Sequence, residues 1–155
     1  MKVVEVKGDH YKAGVLIGKK TKSLINIALS NSESIINCKK DYKFQKIFSK
    51  FLSLCKKNRP NYVAELEGIS DGSNINFKKI FHYNVEEINN IANDKKIKAN
   101  NCSTIIHNYN KRIIVGHNED GNNTDKLFLL RSKIGDEKKC LSLCYAGKLA
   151  GFAVS

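Results

Sequence analysis

The stretch Asn101-Cys102-Ser103-Thr104-Ile105-Ile106-His107, with the turn Asn108-Tyr109-Asn110-Lys111 and the run Val115-Gly116-His117-Asn118-Glu119-Asp120-Gly121 after it, decides the reading of this chain. A cysteine opens a β-branched run, a polar turn interrupts it, and a second apolar run ends in a polar cluster. The pattern predicts a β-hairpin. In an antiparallel pair the start of the first strand lies beside the end of the second. Cys102 and Asp120 are therefore expected to approach one another, although they are distant in sequence. A thiol beside a carboxylate and polar amides is a candidate nucleophile site. A strand cysteine is more often a small buried hydrophobe, and spacing alone leaves both readings open.

Upstream of the hairpin the texture is helical. Met1 to Lys7 alternates valine with charge and predicts a strand. Asp9 is placed to cap a following helix. Gly14 and Gly18, four apart, fall on one face of that helix, where they allow close packing. Leu24 to Ile36 continues in helical character. Phe44, Ile47, Phe48, Phe51, Leu52 and Cys55 form the clearest amphipathic stripe, expected to be core. Pro60 starts another helix. A further helix is expected to carry Phe77, Ile80, Phe81, Asn84, Val85 and Ile88 on one face, and Asn84 within that stripe to tie down local backbone. Asn93 to Asn101 is polar, without periodicity, and reads as a loop.

Downstream the texture is that of strands. Lys126 to Lys133, Cys140 to Tyr145 and Leu149 to Val154 are strand candidates, separated by turns at Gly135-Asp136 and Gly147-Lys148. The expected fold class is α+β: a helical segment over 1–101, then antiparallel strands over 102–155. The chain stops at Ser155 inside an apolar segment, so a fragment of a longer protein is expected.

Bulk properties narrow the function classes. A chain of 155 residues with 41% hydrophobic and 27% charged residues suits one globular domain. No apolar run is long enough for a membrane span, and the N-terminus lacks a signal-peptide core. The five cysteines are odd in number and do not form a disulfide framework. A cytoplasmic location is expected. The net charge of +12 is nearly all lysine, with arginine only at Arg59, Arg112 and Arg131. Nucleic-acid recognition favours arginine's planar fork, so a nucleic-acid partner is not expected. Cys140 and Cys144, three residues between them and with no second pair, lack the spacing of a metal knuckle. Neither a metal nor a cofactor is expected.

Four segments, in order, resemble the acyl-coenzyme A:6-aminopenicillanic acid acyltransferase-like family, self-processing cysteine enzymes of the N-terminal-nucleophile (Ntn) superfamily. They are Gly8 to Gly18, Pro60 to Gly72 with Glu65-Leu66-Glu67-Gly68-Ile69-Ser70-Asp71-Gly72, Asn84 to Glu87, and Cys102 to Asp120. The Gly116-His117-Asn118-Glu119-Asp120 form is closer to the amide-hydrolase branch than to the penicillin acyltransferases. The resemblance implies the opening part of an αββα sandwich. It also implies self-cleavage of the Asn101–Cys102 bond, which frees Cys102 as an N-terminal nucleophile. Its own α-amine would be the base, Asp120 would orient that amine, and Asn118 and His117 would contact substrate or oxyanion. The implied activity is that of an amidohydrolase or acyltransferase on a small linear amide. The implied partners are that substrate and the protein's own C-terminal portion or cleaved chain, with self-association of copies left open. The competing reading is a non-catalytic basic domain that binds nucleic acid or an acidic partner, which requires a single-faced basic patch. Spacing along the chain does not group the lysines in that way.

Overall fold

The computed structural model describes residues 1–32, 42–86, 103–110, 112–118, 126–136, 139–150 and 152–154, with backbone alone at 42–44 and 152–154. The described chain runs β1 (Lys2–Gly8), α1 (His10–Ser30), α2 (Tyr42–Asn58), α3 (Pro60–Ser73), α4 (Phe77–Asn84), β2 (Ser103–Tyr109), β3 (Arg112–Asn118), β4 (Leu127–Ile134), β5 (Cys140–Tyr145) and β6 (Phe152–Val154). It is an α+β fold, with one strand and the helices first and mainly antiparallel strands after them.

The strands form two sheets. One is four-stranded in the order β1-β4-β5-β6; the other is the β2-β3 hairpin. β4, β5 and β6 pair antiparallel. β1 joins β4 in parallel, with Lys2 opposite Phe128 and Gly8 opposite Ile134. Periodicity could not show this pairing, because its two strands are separated by all of the described helices. Alternation turns Val4 and Val6 of β1, and Phe128, Leu130 and Ile134 of β4, towards the helices. There they meet Ala13, Ile17, Leu66, Ile69 and Phe81 in one core. Val3, Glu5, Lys7, Arg131 and Lys133 fall on the opposite side.

Asp9 caps α1 as expected, its carboxylate accepting from the Lys12 N–H at 2.8 Å. That bond is the main cause holding the Asp9 carboxyl below its usual range. The helix then runs unbroken to Ser30, so the separate helix expected from Leu24 is its second half; 33–36 lie outside the described residues. Gly14 and Gly18 are tolerated because their bare faces meet α3. A Cβ at Gly14 would overlap the carbonyl of Glu65, and one at Gly68 the carbonyl of Tyr11. Gly18 and Gly72 make similar approaches. The two helices therefore meet backbone to backbone.

α2 supplies Phe48, buried and edge-on to Phe81 at 5.4 Å between centroids. Leu52 and Cys55 pack beside the core, whereas Phe51 remains partly exposed. α3 begins with Pro60 and ends with Asn74 in the left-handed region at φ 58°. Asn84 closes α4 onto the sheet. Its amide donates to the carbonyls of Ile80 (2.9 Å) and Gly147 (2.7 Å), and its oxygen accepts from the Leu149 N–H (2.8 Å). This is the backbone-tying role read from the sequence.

Candidate active site

β-branched isoleucines and a tight turn build the hairpin. Asn110, at φ 48°, takes the left-handed conformation that asparagine tolerates, and Tyr109 pairs with Arg112 beside it. From there the register runs through Ile106–Val115 and Thr104–His117 to Ser103–Asn118. Directly opposed residues share a face. Thr104, Ile106, Asn108, Ile113, Val115 and His117 thus lie on one face; Ser103, Ile105, His107, Ile114 and Asn118 lie on the other. His107 stacks on Tyr109 along that second face.

At the end away from the turn, the Thr104 hydroxyl and His117 Nδ1 share a 2.8 Å hydrogen bond. The hydroxyl donates to Nδ1 when the imidazole carries its proton on Nε2, and accepts when the ring is charged. His117 and Asn118 are consecutive strand residues and so project to opposite faces. Cys102, Asn101 and Asp120 lie outside the described residues. The described ladder ends at Ser103, next to Cys102 in the chain, and at Asn118, two residues before Asp120. Sequence reading placed Thr104 in the motif after Cys102 but gave it no role, since its link to His117 depends on register.

The hairpin is apolar and open: Ile105 is 73% and Ile113 69% exposed, and Ile106 and Ile114 are similar.

Other reactive groups have structural surroundings. Cys144 is buried, and its thiol is pushed up to about 12 from an ordinary value of 9.0 by burial first, then by the charge of Glu65 and by Cys140. A thiol so protonated is a poor nucleophile at neutral pH. Burial also pushes the Cys55 thiol up. The Cys140 thiol lies 3.3 Å from the Ser142 hydroxyl. His10 Nδ1 lies 2.9 Å from the buried Glu65 carboxylate, and its ring meets Tyr62 edge-on. His82 is buried against Phe48. Lys148 sits 2.8 Å from Glu86 and over the Tyr83 ring, joining α4 to the turn after β5. Among the described residues no group of three or more His, Cys, Asp or Glu side chains could hold a metal ion, and no helix is long and apolar enough to cross a membrane.

No family model matches the chain. The chain is similar to beta-alanyl-dopamine/carcinine hydrolase of Drosophila melanogaster, with 32% identity over an alignment of 174 residues. The alignment takes in 99% of this chain and 45% of that relative, so the chain spans under half the length of the curated relative it matches.

Proposed function

We propose, on the similarity to an amine-conjugate hydrolase along 99% of the chain, that this protein is part of an Ntn-type hydrolase of small linear amides. That similarity is the observation that carries the reading. It joins the resemblance of the Cys102-Ser103-Thr104 and Asn118-Glu119-Asp120 segments to self-processing cysteine enzymes.

In this reading the enzyme first cuts itself. The Cys102 thiol attacks the Asn101 carbonyl, and the acyl group moves from nitrogen to sulfur. That shift frees the Cys102 α-amine, and water then opens the thioester, releasing the Asn101 carboxylate and the Cys102 thiol. An α-amine titrates near pH 8, so at physiological pH a useful fraction is neutral and can take the thiol proton. Asp120 holds that amine. The thiolate adds to the substrate carbonyl and the C–N bond breaks. The departing amine takes the proton, and water hydrolyses the acyl-thioester to regenerate the thiol. Asn118 contributes to the oxyanion contact. His117, braced by Thr104, forms the pocket wall. The register supports the nearness of the two strand ends, though not a shared face for His117 and Asn118: Ser103, bonded to Cys102, pairs with Asn118, two residues before Asp120.

The substrate class proposed is an acyl or aminoacyl amine conjugate, with β-alanyl amines the first to try. Water is the preferred acceptor, as for the named relative, over a second amine. The test is amine release from β-alanyl amides by the full-length protein and by Cys102→Ala. Release by the first and none by the second supports the reading. Equal release, or none from a panel of acyl and aminoacyl amides by a self-cleaved protein, contradicts it.

A further inference from the structure

The parallel β1–β4 pairing creates a feature that spacing along the chain conceals. It sets Lys7 directly opposite Lys133. Ser132 pairs with Cys140, so Lys139, one residue earlier, comes alongside Lys133 from the other side. Strands in a sheet are only about 4.8 Å apart. Three ammonium groups thus stand in a row across three neighbouring strands. The row below differs: there Glu5 is opposite Arg131 and the two form an ion pair. Glu5 neutralises Arg131, whereas among the described residues the lysine row has no carboxylate across it in the ladder. All five side chains, with Ser132, line one open cavity of about 610 Å³. Like charges directly opposed on a sheet repel and cost stability. An anion bridging neighbouring strands would relieve that repulsion.

We propose that this row is a binding site for a small, multiply charged phosphate anion, with Lys7, Lys133 and Lys139 as its ligands. Ammonium groups on flexible stems suit a phosphate chain, whose charges repeat along its length and need no single planar geometry. The cavity falls within the range for small ligands rather than for a nucleic-acid groove. The aliphatic lysine stems form its walls. The site lies on strands β1 and β4 and on Lys139, and it requires nothing of Cys102 or of amide hydrolysis.

Calorimetric titration of the full-length protein with sodium tripolyphosphate, and separately with ATP, tests the site at low and moderate sodium chloride. The comparison is with Lys7→Gln/Lys133→Gln and with Lys46→Gln/Lys50→Gln, which removes equal charge from exposed positions of α2. Binding that weakens with salt, falls roughly tenfold or more per lysine in the first variant and changes little in the second is expected. Equal affinity for both anions then identifies free polyphosphate as the ligand; tighter ATP binding identifies phosphate carried on an organic group. The first variant, relieved of repulsion, should also melt no lower than the parent and should lose the rise in melting temperature that tripolyphosphate gives. Absence of binding at low salt overturns the proposal. So does equal weakening in both variants, which would make the effect one of net charge alone.

Discussion

Thr104 and His117 face each other across the β2–β3 ladder, hydroxyl to Nδ1 at 2.8 Å. The contact sits two residues after Cys102 in the sequence and three before Asp120. In the proposed enzyme it fixes the imidazole plane at the pocket wall. Thr104→Val keeps a β-branched strand residue and removes the hydroxyl. It should lower kcat/KM for the amide roughly five- to tenfold, about 1 kcal/mol, and leave the melting temperature nearly unchanged. Steady-state kinetics beside a thermal melt check this, and Thr104→Ser should recover most of the loss.

Asn84 joins three backbone groups from two parts of the chain. Asn84→Ala leaves the Gly147 carbonyl and the Leu149 N–H without it, at a cost of about 1–3 kcal/mol. Asn84→Asp keeps the acceptor for Leu149 but sets a carboxylate oxygen against the Ile80 and Gly147 carbonyls, so it should cost at least as much. Urea unfolding measures both.

The α1–α3 contact tolerates no side chain at its crossing points. Gly14→Ala and Gly68→Ala each force the helix backbones apart. Each should cost on the order of 1–3 kcal/mol or more, despite alanine's better helix propensity. An exposed α2 position such as Ser49→Ala should instead be neutral or slightly stabilising. Thermal melts of the three variants separate the two effects.

Cys144 gives the pH prediction. Its folded thiol is raised to about 12 from 9.0, so the unfolded chain loses this proton first as pH rises. Fewer protons bound in the unfolded state means that stability falls with pH. The Cys144 contribution is complete below about pH 9 and is lost between about 9 and 12. Cys144→Ala should flatten the stability profile in that window, whatever it costs in packing. The thiol should also resist alkylation at pH 8 in the folded protein and react in urea.

Much of the fold was legible because its signals are local. The Asp9 cap, the turns at Gly135 and Gly147, the Pro60 start and the alternation in β1 each need only a few consecutive residues. Gly14 and Gly18 marked a close helix contact, though nothing in their spacing named α3 as the partner. The hairpin was legible in its strands and its turn. What stayed hidden depends on partners far apart in the chain: Lys7 with Lys133, His10 with Glu65, and Asn84 with Gly147. Strand and helix periods give the face of each residue and are silent on which element lies opposite. The candidate nucleophile was found through a thiol, a hairpin and a resemblance. Cys102 and Asp120 lie outside the described residues, so their approach remains the central proposal.

The most direct test of that proposal is the intact mass, under denaturing conditions, of the full-length protein and of its Cys102→Ala variant. Two fragments that divide between Asn101 and Cys102, with a single uncut chain in the variant, are the predicted result. A single uncut chain in both, or cleavage that survives the substitution, would contradict Cys102 as a self-processing nucleophile.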